Sequence, residues 1–579
     1  MDKALSLFIP AHMMGAGGFL VLCMLVACQD DVDRGSNRDD ATHNIRPEPG
    51  LDSGDRLDTG DFEVGVAVDS GEDSQVGECV PGVRACKDPV TFHTCNAEGT
   101  GYQGEQSCPD EMICEVGGCT TICDLGGKGP SYIGCEYWTV DLDQYPDPTS
   151  NPSADEIPHA VVISNPGDHL ATLTFESRAV GVTINIADPT VPPGEARAFV
   201  MPRLDVSGTG ITQNAIHIRS SMPVIAHQFN PFHNENVYSN DASLLLPVSA
   251  LGKEYFVMNW PTQVLPCVNP QFCFPSQHAY VTIVATAPGD TSVLVNSRAN
   301  IAAGDGINEF PPGIARNFVL RQGDVLNLEA HGSLGSPEND LTGTFVAGDQ
   351  PIAVFAGHEQ AVIGDNSEQG TCCADHLEQQ LFPLESWGQH YVATFSPGRG
   401  IKKDHWRILA GEDNVTITTN PPQPGANNVV LQRGEFVKFY SDQSFEVNGT
   451  GKILVGQFLV SQEQTSEVTG DPAFILSVPV ERFRDDYYLL TPTGYSSDYV
   501  VIIRAVGESV TLDGVVVPHE SFAPVGSGAY EISTQSVQPG LHILKGEEVF
   551  GIIAYGFNRA VSYGYPGGLD LVGDDPDGL

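Results

Sequence analysis

Two motifs recur in the same order along this chain, and that repetition constrains the fold more than any other feature. The first is a Pro followed eight positions later by Tyr: Pro247 to Tyr255, Pro383 to Tyr391 and Pro479 to Tyr487. A bulky apolar residue stands midway in each, namely Leu251, Trp387 and Phe483. An apolar run precedes each: Leu244-Leu245-Leu246, Leu381-Phe382 and Ile475-Leu476. The second motif is a short run of buried character upstream of each Pro. Its copies are Pro223-Val224-Ile225-Ala226-His227, Pro351-Ile352-Ala353-Val354-Phe355 and Ile453-Leu454-Val455-Gly456, with a fourth at Phe550-Gly551-Ile552-Ile553-Ala554. Recurrence at intervals of roughly 100–130 residues is internal repetition, an architectural signal before it is a functional one.

The segments between the motifs read as strands. Thr172-Leu173-Thr174-Phe175 and Val415-Thr416-Ile417-Thr418 alternate with period two, as half-buried strands do. Val281-Thr282-Ile283-Val284 and Val500-Val501-Ile502-Ile503 are more continuously apolar and β-branched. Turn signals punctuate them, such as Pro192-Pro193-Gly194 and Pro288-Gly289-Asp290. With 62 Gly and 41 Pro and no sustained helical period, the chain predicts an all-β protein. The expected arrangement is tandem β-sandwich-like repeats at 137–277, 278–403, 404–495 and 496–579, the last with an acidic tail. A β-propeller built from repeated blades is the alternative. It requires contact between the first and last repeats, whereas a tandem row requires contact only between neighbours. The repeated tyrosines are read as packing residues, each ring covering a core edge while its hydroxyl finds a partner.

The amino-terminal end points to the compartment. Met13 to Ala27 is nearly all apolar, too short to span a bilayer, and fits a signal-peptide core. It ends in Leu25-Val26-Ala27-Cys28, which resembles a bacterial lipobox, so residues 1–27 are expected to be a lipoprotein signal peptide with acylation at Cys28. Multiple acyl chains would anchor the protein stably. Gln29 after the Cys favours the outer membrane, so the expected place is the cell envelope, surface-exposed. Residues 28–78 are rich in Asp, Gly and Ser, have little to bury, and read as a disordered acidic tether. With 28 basic against 74 acidic residues the net charge is −46, which repels nucleic acid and excludes it as a partner. The same charge could attract calcium; no other cofactor is expected.

Eight cysteines crowd residues 79–136: Cys79, Cys86, Cys95, Cys108, Cys114, Cys119, Cys123 and Cys135. None forms the paired C-x2-C knuckles of a thiolate zinc site, so a disulfide-rich module is the reading, with bridges replacing a core. Cys267, Cys273, Cys372 and Cys373 are also disulfide candidates. Cys372 and Cys373 are adjacent, so they either bridge each other or each reach back to Cys267 and Cys273. The run from Cys372 through Asp375, His376 and Glu378 offers metal-ligand types, and a stapled loop with ordinary polar residues is the plainer reading.

Three stretches carry a family resemblance. They are Ser239-Asn240-Asp241-Ala242-Ser243 leading to Pro247 with Gly252 and Tyr255-Phe256-Val257; Leu341-Thr342-Gly343-Thr344 leading into Pro351 to Gly357; and Cys373-Ala374-Asp375-His376-Leu377-Glu378-Gln379-Gln380-Leu381 with Trp387-Gly388. Over about 130–568 they resemble the IgGFc-binding protein amino-terminal domain family. The resemblance implies an extracellular, non-enzymatic binding module. It singles out Asn240, Asp241, Gly252, Tyr255, Asp375, His376, Glu378 and Trp387 as motif residues and supplies no catalytic or ligand residue. The lipobox and the cysteine-rich segment are departures from the animal protein that gives the family its name.

Catalytic signatures are missing from the sequence. There is no G-x-S-x-G, and His358-Glu359 lacks the second His of H-E-x-x-H. The sequence therefore predicts a lipid-anchored surface protein that recognises an extracellular protein or glycan without catalysis. A structural envelope spacer is the first rival and an all-β hydrolase the second.

Overall fold

The computed structural model describes residues 79–571, apart from 89–90, 109–111, 116, 122, 124–130, 148–151, 233–238, 265–274, 333–338, 365–372 and 401. Cys28, the tether, Cys267, Cys273 and Cys372 lie outside the described residues; Cys373 is half-buried. The described residues divide into two compact units, one up to 125 and one from 126 onward.

The smaller unit is held by covalent links. A three-stranded antiparallel sheet joins Arg84–Asp88, Thr91–Cys95 and Tyr102–Ser107, and a hairpin pairs Met112–Glu115 with Gly118–Thr121. Every residue of Tyr102–Ser107 is exposed, so the unit has little core to bury. Disulfides Cys79–Cys95, Cys86–Cys114 and Cys108–Cys119 close it instead. Cys123 and Cys135 are disulfide-bonded as well.

The larger unit is all-β. Its described elements are strands and single-turn 3-10 helices. Repeat 3 shows the plan. A long strand, Phe445–Phe458, runs through a seven-stranded sheet and changes partners midway. Its first half pairs with Gly388–Ala393 and Val415–Asn420; its second half pairs with Asp404–Ala410 and Phe474–Leu476. Tyr391, Trp406, Ile417, Phe445 and Val455 pack together in the core of this repeat. Ala215–Asn230 in repeat 1 and Gly540–Asn558 in repeat 4 play the same part. In repeat 2 the strand is split into Phe345–Gly348 and Ile352–Ala361, interrupted before Pro351. A glycine marks the corner where the strand changes partners. A Cβ on Gly449 would lie 2.8 Å from the Gly451 carbonyl, and one on Gly546 would lie 2.5 Å from that of Glu548.

The Pro-to-Tyr motif links one repeat to the next. Pro247, Pro383 and Pro479 each cap a single 3-10 turn, Val248–Ala250, Leu384–Ser386 and Val480–Arg482. The midway residues Leu251, Trp387 and Phe483 end these turns and are buried. The strand that follows does not return to its own repeat. Glu254–Phe256 pairs with Phe345–Gly348, Gly388–Ala393 with Phe445–Phe458, and Arg484–Thr491 with Gly540–Asn558. Repeat 1 receives its equivalent strand, Gly134–Val140, from the start of the unit.

Four strands meet where the repeats converge. Asp241–Leu245 lies against Asp375–Gln380 and Val561–Pro566, and Phe474–Leu476 lies against the same two. Repeats 1 and 4 thus touch. Val162, Phe229 and Ala242 share one core cluster with Tyr487, Phe550, Ile552 and Tyr565. Tyr132 N–H donates to the Leu569 carbonyl at 3.2 Å, beside a bridge between Ser131 and Asp570. The all-β, sandwich-like character matches expectation. The contact between first and last repeats is the one a closed ring requires and a tandem row does not.

Candidate functional site

Asn240, Asp241, Asp375, His376 and Glu378 gather where the repeats converge, while Gly252, Tyr255 and Trp387 sit at the joints between repeats. Asp241 opens the central strand of repeat 1 and is fully buried. Its Oδ1 accepts Ala242 N–H at 2.9 Å, and its Oδ2 accepts Glu378 N–H at 3.1 Å and Phe474 N–H at 3.0 Å. The Gly564 N–H also bonds to this carboxyl, so every repeat sends it a donor. Burial pushes Asp241 well above the usual carboxylate range against the pull of those four donors. Asn240 accepts from Tyr495 Oη at 2.8 Å, and its N–H donates to Asp375 Oδ1 at 2.6 Å. Asn240 and Asp241 therefore tie separate repeats together.

Asp375, His376 and Glu378 sit on the neighbouring central strand, all buried. Glu378 Oε2 accepts from Gln228 Nε2 at 3.1 Å and stands 3.6 Å from His376 Nε2. Burial lowers the His376 imidazole to about 3, so it is neutral. Its contacts are to repeat 1 and to Tyr280 Oη at 3.5 Å. Gly252 and Tyr255 work as a pair. Gly252 N–H donates to Tyr255 Oη at 3.0 Å, which donates to the Ile352 carbonyl at 2.8 Å. A Cβ on Gly252 would sit 2.5 Å from Pro383 Cβ, so the glycine admits the proline of the next repeat. Trp387 is buried and donates Nε1–H to the Phe382 carbonyl at 3.1 Å.

Two other places lie between repeats. One is acidic: Asp143 from repeat 1 meets Glu329 and Glu359 from repeat 2, all buried, with oxygens within 4.8 Å of one another. The sequence reading passed over this group because Asp143 lies 186 residues from Glu329; only Glu359 was noticed, as half of a broken H-E-x-x-H motif. The other is a cleft of about 570 Å³ between repeats 2 and 3, lined in part by Arg298, Asp340, Glu435, Phe436 and Lys438. Below it Arg407 is fully buried, held by both Asp340 oxygens at 2.9 and 3.1 Å and stacked over Trp260, Phe436 and Phe458.

These features define a closed ring of sandwich repeats, locked by a buried polar hub. A family model described as IgGFc binding protein matches residues 241–556, from the hub aspartate into repeat 4. The chain belongs to that family. A curated human relative, the IgGFc-binding protein, is 23% identical over 417 residues, covering 70% of this chain. The chain spans only about 7% of that relative's length.

Proposed function

We propose that this chain is a recognition module of the cell envelope that binds an extracellular protein or glycan and catalyses no reaction. Membership of the IgGFc-binding family, over 241–556, carries the reading. Its motif residues are spent on the ring, so binding falls to the outer surface and the seams. In this reading the cleft between repeats 2 and 3 supplies a contact surface. It lies within the matched span and sets exposed Arg298, Glu435 and Lys438 around Phe436. Mixed charge about an aromatic suits a protein partner. The lipobox-like Leu25-Val26-Ala27-Cys28 supports attachment through lipid at Cys28, with the acidic tether holding the ring away from the bilayer.

The test is an array of mucins, glycans, envelope fractions and immunoglobulin G Fc, probed with the disulfide-formed chain from Cys79 onward. Saturable binding that Lys438→Glu weakens at least tenfold supports both reading and seam. Silence across the array with an intact fold favours the spacer role. Cys28→Ala should move the full chain from the membrane to the soluble fraction.

A further inference from the structure

We propose that Asp143, Glu329 and Glu359 together bind one calcium ion in the seam between repeats 1 and 2. The three carboxyls come from different elements. Asp143 follows the first strand of repeat 1, Glu329 ends the strand Val325–Glu329, and Glu359 lies in Ile352–Ala361. They are 0%, 8% and 7% exposed, yet their ligand oxygens lie within 4.8 Å of one another. Three like charges buried at that distance repel strongly and have little water to screen them.

Their surroundings offer them three hydrogen-bond donors among the described residues. Asp143 Oδ2 accepts Gly208 N–H at 2.9 Å and Asn327 Nδ2–H at 3.0 Å, and Glu359 Oε2 accepts the His278 N–H. Among the described residues the basic group at ion-pair distance is His278, whose Nδ1 is 4.0 Å from Glu329 and already serves the Ala330 carbonyl at 2.9 Å. A second observation points to a ligand. Asp143 Oδ1 is buried and accepts no hydrogen bond from outside the three carboxyls among the described residues. A buried carboxylate oxygen left bare is costly unless something positive occupies the space beside it.

The donor set decides the metal class. It contains only carboxylate oxygens, and the nearby His278 imidazole commits its Nδ1 to the Ala330 carbonyl, which suits a hard cation and disfavours zinc or copper. Calcium tolerates an irregular shell completed by water, whereas magnesium demands a near-ideal octahedron. An ion here would join repeat 1 to repeat 2 directly, since the Tyr145 N–H already donates to the Glu359 carbonyl at 3.4 Å.

The experiment uses the full chain in detergent, stripped of metal by chelator, with calorimetric titration and thermal melting at physiological salt. Calcium should titrate to one site per chain and raise Tm by roughly 2–4 °C at about a hundredfold excess over Kd. Asp143→Asn and Glu359→Gln should each abolish both effects, and their metal-free melts should equal or exceed that of the metal-free wild type, because each removes a repelling charge. Equal calcium shifts in wild type and both variants would assign the effect to the diffuse acidic surface and overturn the site. A wild type indifferent to calcium overturns it too, and magnesium acting as strongly as calcium overturns the choice of ion. Should one variant fail to fold, the other variant and the wild-type stoichiometry still decide.

Discussion

Asp241 Oδ2 accepts the Phe474 N–H at 3.0 Å across 233 residues of chain. The same oxygen accepts Glu378 N–H at 3.1 Å, so one atom joins repeats 1, 2 and 3, and Gly564 adds repeat 4 through the same carboxyl. Backbone donors on the unpaired edges of these short central strands have no ladder partner of their own, and a buried donor left unpaired is costly. A single carboxyl serving four of them removes that cost where the repeats converge.

Replacing this carboxyl should loosen the whole ring. Asp241→Ala strands several buried N–H groups and should cost about 3–5 kcal/mol in chemical denaturation. Asp241→Asn keeps one acceptor oxygen and should cost less. An alanine variant within about 1 kcal/mol of wild type would mean that the donors find other partners.

The tyrosine of each repeat makes one set of bonds. Tyr137, Tyr255, Tyr391 and Tyr487 donate to the carbonyls of Val224, Ile352, Ile453 and Phe550, each at the corner of a long strand. Three positions earlier, Gly252, Gly388 and Arg484 donate their N–H to the same hydroxyls at 3.0, 3.3 and 2.9 Å. Tyr391→Phe keeps the buried ring and orphans both a donor and an acceptor. It should lower stability by about 1–3 kcal/mol, read from the urea midpoint at unchanged m-value. Tyr391→Leu should cost more, because it also loses ring volume.

Gly388 tests the joint between repeats by shape alone. A Cβ there would lie 2.4 Å from Pro479 Cβ and 2.6 Å from Glu481 Oε2. The proline side is a stiff ring fixed on its 3-10 turn, so it cannot swing aside. Gly388→Ala should cost about 1–3 kcal/mol by overpacking, measured by thermal melting. Gly425→Ala, where no atom lies within 4 Å of the added carbon, controls for crowding but carries its own strain at φ +75°.

Local chemistry in the sequence carried the strands and their repetition. Val281–Val284 and Val500–Ile503 fall inside Ala279–Ala285 and Ser497–Ala505 because β-branched runs bury well on both faces of a sheet. The apolar runs of repeats 1, 3 and 4 likewise fall in the second halves of the long strands, and that of repeat 2 leads into Ile352–Ala361. The hub and the acidic seam were not legible, because their partners are separated by up to 323 residues, as Asp241 is from Gly564, and no spacing rule connects them. The fourth tyrosine, Tyr137, was missed because it stands near the unit's start with no proline eight positions before it. Gly134-Cys135-Glu136-Tyr137 shares its Gly and Tyr with Gly252–Tyr255 and Gly388–Tyr391, and that short pattern was the available signal.

His227 makes the last prediction, because it is a buried imidazole with neither ring nitrogen hydrogen-bonded among the described residues. It packs on Tyr565 with ring centroids 4.6 Å apart, at the contact of repeats 1 and 4. Burial alone lowers its pKa to about 3, against 6.5 for a solvated imidazole. The folded protein therefore refuses a proton that the unfolded chain accepts. Above about pH 6.5 both states are neutral and His227 adds no slope; as pH falls from there toward 3, the unfolded state gains protons and stability is lost. His227→Phe removes this liability and fills a site already lined by aromatics. Wild type and variant should differ little at pH 8. By pH 5 the variant should be ahead by a further ~2 kcal/mol, since about 1.5 pH units of one-proton linkage have accumulated. Taking the difference cancels the buried carboxylates, whose pH dependence is common to both proteins. A gap that stays constant from pH 8 to 5 would show that His227 takes up its proton as readily in the fold as in the unfolded chain, and that burial does not hold the proton off.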